Sequence, residues 1–318
     1  MDNLQSLMSV QSVSYNTGRM QLFIENSLKL QGLAYTKDNY GNIYVKKGKA
    51  DLYPTMVCHI DTVHAINDNM EVHISGDHMY AIDRVTMERL GIGGDDKVGI
   101  WITLQMLEQY KNFKAVFFLD EEVGCVGSSQ ANYEFFNDST IVLECDRRGN
   151  SDFVNSISGT TMYGDELQAV LKPILTDFGY KETHGGLTDV LEIADNNSVC
   201  CANMSCGYYD PHTDNEYISI SDVYNTMDMC MDIFDATMHQ RYEVDRTVKK
   251  TYSHYQHYYD GYYDHFYDDE VIVERDIDKP STCPKCSQEQ LYFDHWDNIS
   301  YCLECEYESK AIENENNI

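Results

Sequence analysis

The residues best suited to catalysis in this sequence are histidines and carboxylates that follow short apolar runs or a glycine-rich turn. They fall into five groups along the chain: His59 and Asp61; Asp95 and Asp96; Glu121 and Glu122; Asp146; and His212. Imidazole nitrogens and carboxylate oxygens bind zinc and related divalent ions, and a carboxylate that is not a ligand can accept a proton. These residue types therefore predict a metal-dependent hydrolytic site if the fold brings the groups together.

The apolar runs have the length and composition of strands that are buried on both faces. They cover residues 55–58, 115–119, 141–143 and 199–202. Helices are predicted at 19–33, 96–110, 167–178 and 221–240, and hairpins at 32–47 and 71–82. This alternation predicts an α/β domain with a mixed, largely parallel sheet sandwiched by helices. Because functional crevices lie at the carboxyl ends of such strands, we expect the five groups to converge there.

Each group taken alone is a weak signal. Neighbouring glutamates usually lie in a solvated turn, since acidic side chains are seldom buried. The glycine-rich turn at 91–97 suggests a phosphate site, but Asp95 and Asp96 would repel a phosphate. No suitable strand directly precedes these glycines, which argues against a dinucleotide-binding turn. The order of all five groups is therefore more informative than any one of them.

In this order the groups resemble the motifs of the co-catalytic zinc peptidases, which include the peptidase T family, the single-domain zinc aminopeptidases and the glutamyl aminopeptidases. The segment GIGGDDKVG is similar to the GADDKxG motif of peptidase T-type tripeptidases, and HIDTVH is similar to their HxDTV motif. FLDEEVGCVGS, HGGLTDV and HTDNEYI are similar to the DEExGxxGS, GGTxD and H-x-x-x-E motifs. The resemblance covers residues 55–222 and implies a metallopeptidase of the exopeptidase type.

The resemblance implies two catalytic zinc ions that share one aspartate. The implied ligands are His59, Asp95 and Asp146 for the first ion, and Asp95, Glu122 and His212 for the second. Such a pair of ions can hold a hydroxide between them and polarise a scissile carbonyl. Cobalt or manganese would also suit these mixed nitrogen and oxygen ligands.

The resemblance also implies the roles of the residues around the metals. Asp61 would orient the imidazole of His59, and Glu121 would act as the general base. The family's bridging aspartate lies four residues before a helix glycine, here Gly99, so the bridging residue would be Asp95.

Enzymes of the peptidase T type carry a separate lid domain between the fourth and fifth motifs. Here the interval from Asp146 to His212 has room for only two strands, one helix and the GGLTD segment, so we expect no lid domain. In this respect the layout is similar to that of the single-domain zinc aminopeptidases. His184 is a candidate substrate contact and oxyanion donor, although a simple loop histidine is the alternative. We expect Asp189 to be structural, capping a helix.

Two CxxC pairs near the end of the sequence predict a small zinc ribbon. Their cysteines are Cys283, Cys286, Cys302 and Cys305. Four thiolates form a closed tetrahedral site, so this third zinc would be structural. The ribbon has few basic residues, and we expect it to contact protein or simply to stabilise the chain. The predicted organisation is a catalytic domain at 1–240, a Tyr/His/Asp-rich linker at 241–279 and the ribbon at 280–318.

The charge and the hydropathy pattern limit the partners of the chain. The formal net charge of −30 would repel phosphate backbones, so we expect no nucleic-acid partner. No apolar run is long enough to span a membrane and no secretory signal is recognisable, so we expect no membrane partner. The cysteines outside the CxxC pairs lie mainly in apolar runs, which is typical of reduced thiols in a cytoplasmic protein.

Three functions are compatible with these observations. The first is cleavage of peptide substrates by an aminopeptidase, dipeptidase or tripeptidase, through a metal-bridging hydroxide and a glutamate base. The second is an amidohydrolase that deacylates N-acyl amino acids, which needs the same two metals. The third is a non-catalytic, peptidase-like scaffold, which the intact ligand set disfavours. Metal content separates enzyme from scaffold, because the enzyme would hold about three ions per chain and the scaffold about one.

Overall fold

The computed structural model describes residues 2–244 and 246, and beyond them the backbone of three strands. Residue contacts divide the chain into two units, Met1–Asp264 and His265–Ile318. The helices are α1 Asp2–Met8, α2 Gly18–Leu30, α3 Gly94–Gln109, α4 Val126–Ser129, α5 Asp165–Phe178, α6 Asp189–Asn196 and α7 Ile220–Thr237. No helix among the described residues is both long enough and apolar enough to cross a membrane.

The strands of the first unit form two sheets. They are β1 Tyr35–Lys37, β2 Ile43–Lys47, β3 Tyr53–His59, β4 Met70–Ser75, β5 His78–Asp83, β6 Arg89–Leu90, β7 Phe113–Phe118, β8 Ser139–Arg147, β9 Asp152–Ile157, β10 Thr160–Thr161, β11 Lys181–Gly185, β12 Cys201–Ser205, β13 Tyr208–Tyr209 and β14 Tyr217–Ser219. The predicted hairpins at 32–47 and 71–82 are confirmed as β1–β2 and β4–β5.

The larger sheet has nine strands in the order β1-β2-β7-β3-β8-β12-β9-β10, with β11 beside β9. Its central strands β7, β3, β8 and β12 run parallel, while β2 and β9 join this core in antiparallel pairs. The central strands are buried almost throughout, which explains their continuous apolar composition. Helix α3 packs against β3, β7 and β8, and α6 packs against β3, β8 and β12. The predicted α/β fold with a mixed, largely parallel sheet is confirmed.

The smaller sheet is antiparallel and holds the loop between β13 and β14 in place. Its order is β13-β14-β5-β4, and β6 pairs with β5. Strand β14 lies beside β5, with Tyr217 opposite Tyr80. This pairing fixes the loop between β13 and β14, which contains His212.

The interval between Asp146 and His212 forms no separate domain among the described residues. Strands β9, β10, β11 and β12 all belong to the nine-stranded sheet. The absence of a lid domain is therefore confirmed, although the interval holds more elements than the sequence predicts. Strand β11 pairs with β9 and is largely exposed. Its sequence therefore lacks the apolar run from which a buried strand is predicted. Asp189 is the first residue of α6, and the cap position belongs to Thr188.

Contacts of the first unit continue past residue 240. Tyr242 is buried in the core, and the guanidinium of Arg246 donates hydrogen bonds to the carbonyl oxygens of Met162 and Val199. The rest of the predicted linker lies outside the described residues. In the second unit, β15 Leu291–Asp294, β16 Ile299–Cys302 and β17 Glu308–Lys310 form an antiparallel sheet.

Candidate metal centre

The ends of the parallel strands and two nearby loops carry the predicted metal ligands. Strand β3 ends at His59, Glu122 follows β7, and Asp146 lies near the end of β8. Asp95 lies in the first turn of α3, and His212 lies in the loop between β13 and β14. The strand ends meet because β7, β3 and β8 are parallel neighbours.

Three carboxylates surround Nε2 of His59. This nitrogen lies 3.1 Å from Asp95 Oδ1, 3.5 Å from Asp146 Oδ1 and 3.9 Å from Glu121 Oε2. The imidazole is fully buried, and its Nδ1 lies 3.0 Å from the carbonyl oxygen of Asp61. When Nδ1–H donates to that carbonyl, Nε2 is left free to act as a metal ligand.

The second histidine meets the other oxygen of Asp95. Nε2 of His212 lies 3.3 Å from Asp95 Oδ2 and 3.2 Å from Glu122 Oε2. The two oxygens of Asp95 therefore face different histidines. The side chain of His212 is 39% exposed whereas that of His59 is buried, so the His212 side of the centre opens to solvent.

These distances fit two metal sites that share Asp95. Nitrogen and oxygen ligands about 2.0–2.1 Å from a tetrahedral zinc ion lie roughly 3.3 Å from one another. The four histidine-to-carboxylate distances to the predicted ligands range from 3.1 to 3.5 Å. In addition, Oε1 of Glu122 is buried and has no hydrogen-bond partner among the described residues. The residues present therefore fit a pair of divalent cations.

Burial and like charges act against ionisation of the carboxylates at the centre. Burial, reinforced by the neighbouring Asp95, raises the pKa of Asp146 to about 8. Burial likewise raises the pKa of Glu121, with a further contribution from Asp146, and that of Glu122, with a contribution from Asp95. A nearby cation favours the charged form of a carboxylate. The arrangement is thus stabilised when positive charge enters it.

The pKa values of the two histidines and of Asp95 indicate that positive charge is favoured between the imidazoles and the Asp95 carboxylate. Hydrogen bonds with Asp95 and Glu122 raise the pKa of His212 to about 11. Burial opposes a charge on His59, but the carboxylates around it, led by Asp146, raise its pKa. Burial also opposes a charge on Asp95, but its hydrogen bonds with both histidines lower its pKa. The raised pKa values of the two imidazoles indicate that the centre favours positive charge, which metal ions would also bring.

Asp61 connects His59 to the loop that carries the predicted base. Its Oδ1 accepts the backbone N–H of Glu121 at 3.0 Å, and its Oδ2 accepts that of Glu122 at 3.3 Å. Ser14 Oγ donates to Oδ2 at 2.7 Å. The carboxylate Oδ1 lies 3.6 Å from His59 Nδ1, farther than the carbonyl oxygen of the same residue. Asp61 therefore positions the loop through its carboxylate and the imidazole mainly through its carbonyl.

Asp96 uses its carboxylate to hold backbone atoms. Its Oδ1 accepts the N–H of Gly99 at 3.0 Å, and its Oδ2 accepts the N–H of His59 at 3.3 Å. The Asp95–Asp96 peptide bond is cis. Ligand-type atoms of His59, Asp96 and Asp146 also lie within 4.8 Å of one another. Both oxygens of Asp96 are already engaged, however, which leaves Asp95 as the better candidate for a bridge.

Glu216 is a residue of the centre that the sequence does not assign. Its buried carboxylate accepts the N–H of Gly93 at 2.7 Å and the N–H of Asp95 at 3.1 Å. Its Oε2 also lies 2.7 Å from Nε2 of His64. Glu216 thus fixes the turn that presents Asp95. Its place in the H-x-x-x-E motif is the signal that could have identified it.

A second set of polar residues surrounds Asp146 and is likewise not assigned by the sequence. Tyr208 donates its hydroxyl to Asp146 Oδ1 at 3.1 Å, and Thr188 Oγ1 lies 3.3 Å from Asp146 Oδ2. Thr188 also donates to the buried carboxylate of Glu144. Nearby, burial raises the pKa of Asp189 to about 7. Thr188 and Asp189 belong to the GGLTD segment, which brings that motif to the centre.

His184 and the predicted structural zinc site lie apart from these contacts. His184 is exposed on β11, and its Nδ1 bonds to Ser156 Oγ on β9. Among the described residues, no recorded polar contact joins His184 to the five predicted ligands. Of the ribbon cysteines, three lie outside the described residues, and only the backbone of the fourth is described, in β16.

No family model and no curated protein matches the sequence, but solved structures share its fold. Aminopeptidase PepT from Bacillus cereus is 14% identical, with a TM-score of 0.62, and the match covers 74% of this chain and 97% of that chain. A tripeptidase from Staphylococcus aureus is 12% identical, with a TM-score of 0.61 and coverage of 75% and 98%.

A third similar structure is an aminopeptidase from the archaeon Desulfurococcus kamchatkensis. It is 15% identical, with a TM-score of 0.55, and the match covers 76% of this chain and 94% of that chain. At these identities the similarity shows a common fold. The first unit of the chain therefore has the mixed α/β fold of these aminopeptidases and this tripeptidase.

Proposed function

We propose that this protein is a metal-dependent hydrolase that cleaves peptide bonds, as an aminopeptidase or as a di- or tripeptidase. The observation that supports this most directly is the position of Asp95 between His59 and His212, at 3.1 and 3.3 Å. Two sites that share one carboxylate are the arrangement that a two-metal hydrolase requires. The names of the structures with the same fold, two aminopeptidases and a tripeptidase, give independent support.

Two zinc ions are the proposed catalytic cofactors. His59 and Asp146 would hold one ion, His212 and Glu122 the other, and Asp95 both. The bound ions would supply the Lewis acidity that polarises a scissile carbonyl. Cobalt or manganese would suit the same ligands. A third, structural zinc on the four CxxC cysteines remains part of the proposal.

Glu121 is the proposed general base. Its Oε2 lies 3.9 Å from His59 Nε2, farther than the two carboxylates proposed as ligands on that side. Asp61 fixes its backbone, and the Cys125 thiol lies 3.4 Å from its Oε1. Glu121 would accept a proton from the attacking water and return it to the leaving amine. His184 remains a proposed substrate contact. Turnover of the same peptides by His184→Ala would test this role.

Replacement of Glu121 by glutamine tests the proposed function. The full chain, loaded with zinc, would be assayed on short peptides and on N-acyl amino acids, with metal content measured on the same samples. We expect Glu121→Gln to retain the metals and to lose turnover by roughly 10²–10⁴-fold, because a glutamine cannot accept the proton.

Glu134→Gln is a matched control, since Glu134 is exposed in the turn before β8. It should leave turnover unchanged. Wild-type turnover in Glu121→Gln would contradict the assigned base. A zinc-loaded wild-type protein that cleaves neither substrate class would contradict the hydrolase, and cleavage of the acylated amino acids alone would favour the deacylase.

A further inference from the structure

Asp146 is held by hydrogen bonds at its backbone and at both of its carboxylate oxygens. Its N–H donates to Asn203 Oδ1 at 2.9 Å, and its carbonyl oxygen accepts Asn203 Nδ2 at 2.7 Å. Oδ2 accepts Thr188 Oγ1 at 3.3 Å, and Oδ1 accepts the hydroxyl of Tyr208 at 3.1 Å. Oδ1 is also the oxygen that lies 3.5 Å from Nε2 of His59. Tyr208 therefore bonds to the oxygen that is proposed to bind the first ion.

Tyr208 reaches Asp146 from β13, a strand of two tyrosines whose hydroxyls have different partners. The Tyr208 side chain is buried and bonds to Asp146. Tyr209 is only partly buried, and its hydroxyl donates to Asp222 Oδ2 at 2.6 Å, in the first turn of α7. Neighbouring side chains of a strand point to opposite faces, which separates the two hydroxyls. One hydroxyl of β13 thus contacts the metal centre, and the other contacts a helix.

Tyr208 also packs against the turn that presents the shared aspartate. A Cβ atom at Gly94 would lie 2.7 Å from the Cβ atom of Tyr208, so this glycine lets the tyrosine lie directly beside the residue before Asp95. The carbonyl oxygen of Tyr208 accepts the N–H of Gly149 at 2.8 Å, which joins β13 to the turn after β8. Tyr208 is therefore fixed against the segments that carry two proposed ligands of the first ion, Asp95 and Asp146.

A buried tyrosine needs an acceptor for its hydroxyl, so a purely structural contact is the alternative. The choice of acceptor favours a role at the metal, because carboxylates that bind a metal are themselves held by hydrogen bonds from residues behind them. The contact is also confined to one side of the centre. On the other side, Oε1 of Glu122 has no hydrogen-bond partner among the described residues, and His212 is partly exposed. Loss of the Tyr208 hydroxyl would therefore affect the two ions unequally.

We propose that Tyr208 is a positioning residue that holds Asp146 in place for the first ion, the one that His59, Asp95 and Asp146 would bind. Its hydroxyl supports the affinity of that ion and leaves the second ion unaffected. This role rests on the proposed two-metal function. Tyr208 acts through Asp146 and has no contact with the substrate in this proposal.

Zinc titration of Tyr208→Phe tests this role, because the variant lacks only the hydroxyl oxygen. Competition with a chelator would give the affinity of each ion for the full chain. We expect the affinity for one ion to fall about 10–100-fold and that for the other to change less than about threefold. Zinc on the CxxC cysteines would be common to both proteins and would cancel in the comparison. Anomalous diffraction at limiting zinc should show the weakened peak beside His59 and Asp146.

Tyr209→Phe is a matched control, since it removes the neighbouring hydroxyl of the same strand, which bonds to Asp222. It should bind both ions as the wild type does, and circular dichroism would verify that each variant is folded. Wild-type affinities in Tyr208→Phe, an equal loss in Tyr209→Phe, or an equal loss of both ions in Tyr208→Phe would overturn the proposal.

A double-mutant cycle with Asp146→Asn separates positioning from general packing. If the hydroxyl acts through the Asp146 carboxylate, the two substitutions affect the same interaction, and their effects are not additive. Tyr208→Phe should then lower the affinity for the first ion less than about twofold in the Asp146→Asn background. A further loss as large as in the wild-type background would overturn the role assigned to Tyr208.

These titrations need no substrate, so their failure and the failure of the proposed function are distinguishable. Suppose that the protein cleaves neither peptides nor N-acyl amino acids, while Tyr208→Phe loses affinity for the first ion alone. This result would contradict the hydrolase and support the role of Tyr208. An active hydrolase in which Tyr208→Phe binds both ions as tightly as the wild type would overturn the role of Tyr208 alone.

Discussion

At the scale of single residues, three aspartates with similar chemistry have different tasks because their neighbours differ. Asp95 faces two histidines, Asp96 accepts backbone N–H groups from His59 and Gly99, and Asp61 accepts those of Glu121 and Glu122. Residue type alone thus predicts a carboxylate site, whereas the contacts decide which carboxylate is free to bind a metal. Glu216 illustrates the same point, because its carboxylate accepts the N–H groups of Gly93 and Asp95 at the start of α3.

Replacing Asp61 should impair catalysis without unfolding the protein. Asp61→Ala removes the acceptor of the Glu121 and Glu122 N–H groups, so the proposed base and one proposed metal ligand lose their common support. We expect kcat/KM or zinc affinity to fall about 10–100-fold, as is usual when a group behind a metal ligand is lost. Steady-state kinetics and zinc titration would measure this. Asp177→Ala, on the exposed side of α5, is the control, and equal activity of the two variants would refute the role of Asp61.

Zinc binding at the centre should weaken as the pH falls. Hydrogen bonds with Asp95 and Glu122 raise the pKa of His212 to about 11, and the surrounding carboxylates raise that of His59, so protons compete with the metal for both imidazoles. Binding requires neutral imidazoles, and each displaced proton costs up to about tenfold in affinity per pH unit. Competition with a chelator between pH 8 and pH 6, corrected for the chelator's own titration, would measure the slope. An affinity that is independent of pH or rises with acid would contradict this assignment.

At the scale of elements, the parallel strands bring together residues that are far apart in sequence. The apolar runs of β3, β7 and β8 are continuous, so the sequence predicts both the strands and the edge at which their ends meet. Helices α3, α5 and α7 also lie within a few residues of their predicted positions. Strand β12 begins two residues later than its apolar run suggests, because its pairing with β8 starts at Cys201.

Other parts of the site depend on contacts that no local pattern reveals. Strand β11 and helix α6 are short, and α1 has only two turns, so their periodic signals are weak. The loop with His212 is placed by the pairing of β14 with β5, which joins distant segments. The bond between Glu216 and the N–H of Gly93 spans 123 residues. Motif order predicts that these residues matter, whereas only the fold shows what they touch.

Helix α4, which follows the loop with the proposed base Glu121, is closely packed at Gly127. A Cβ atom at Gly127 would lie 2.2 Å from the carbonyl oxygen of Leu119 and 2.6 Å from Asn42 Oδ1. Gly127→Ala should therefore lower the free energy of unfolding by about 1–3 kcal/mol and displace the Glu121 loop, which lowers kcat. Urea unfolding and kinetics would measure both effects. Gly18→Ala, where the added atom meets open space, is the control, and a Gly127→Ala protein as stable and active as that control would contradict the packing described.

At the scale of the whole molecule, nine of the 53 acidic side chains lie buried or partly buried close to the two histidines of the centre. Buried or partly buried carboxylates near the centre are Asp61, Asp95, Asp96, Glu121, Glu122, Glu144, Asp146, Asp189 and Glu216. A cluster of this kind is costly without positive charge, because buried like charges repel one another. Part of the net charge of −30 therefore lies at a centre whose negative charge two divalent cations would partly compensate.

The fold without a lid domain leaves one side of the centre open. The side chain of His212 is 39% exposed, whereas that of His59 is buried.

Anomalous diffraction at the zinc absorption edge from crystals grown with zinc is the most direct test of the two-metal centre. We predict two peaks about 3.5–4 Å apart, one on each side of the Asp95 carboxylate, with His59 and Asp146 at one and His212 and Glu122 at the other. Both peaks should vanish in Asp95→Ala, because each ion loses its shared ligand. A single peak, peaks elsewhere in the first unit, or two peaks that persist in Asp95→Ala would contradict the account.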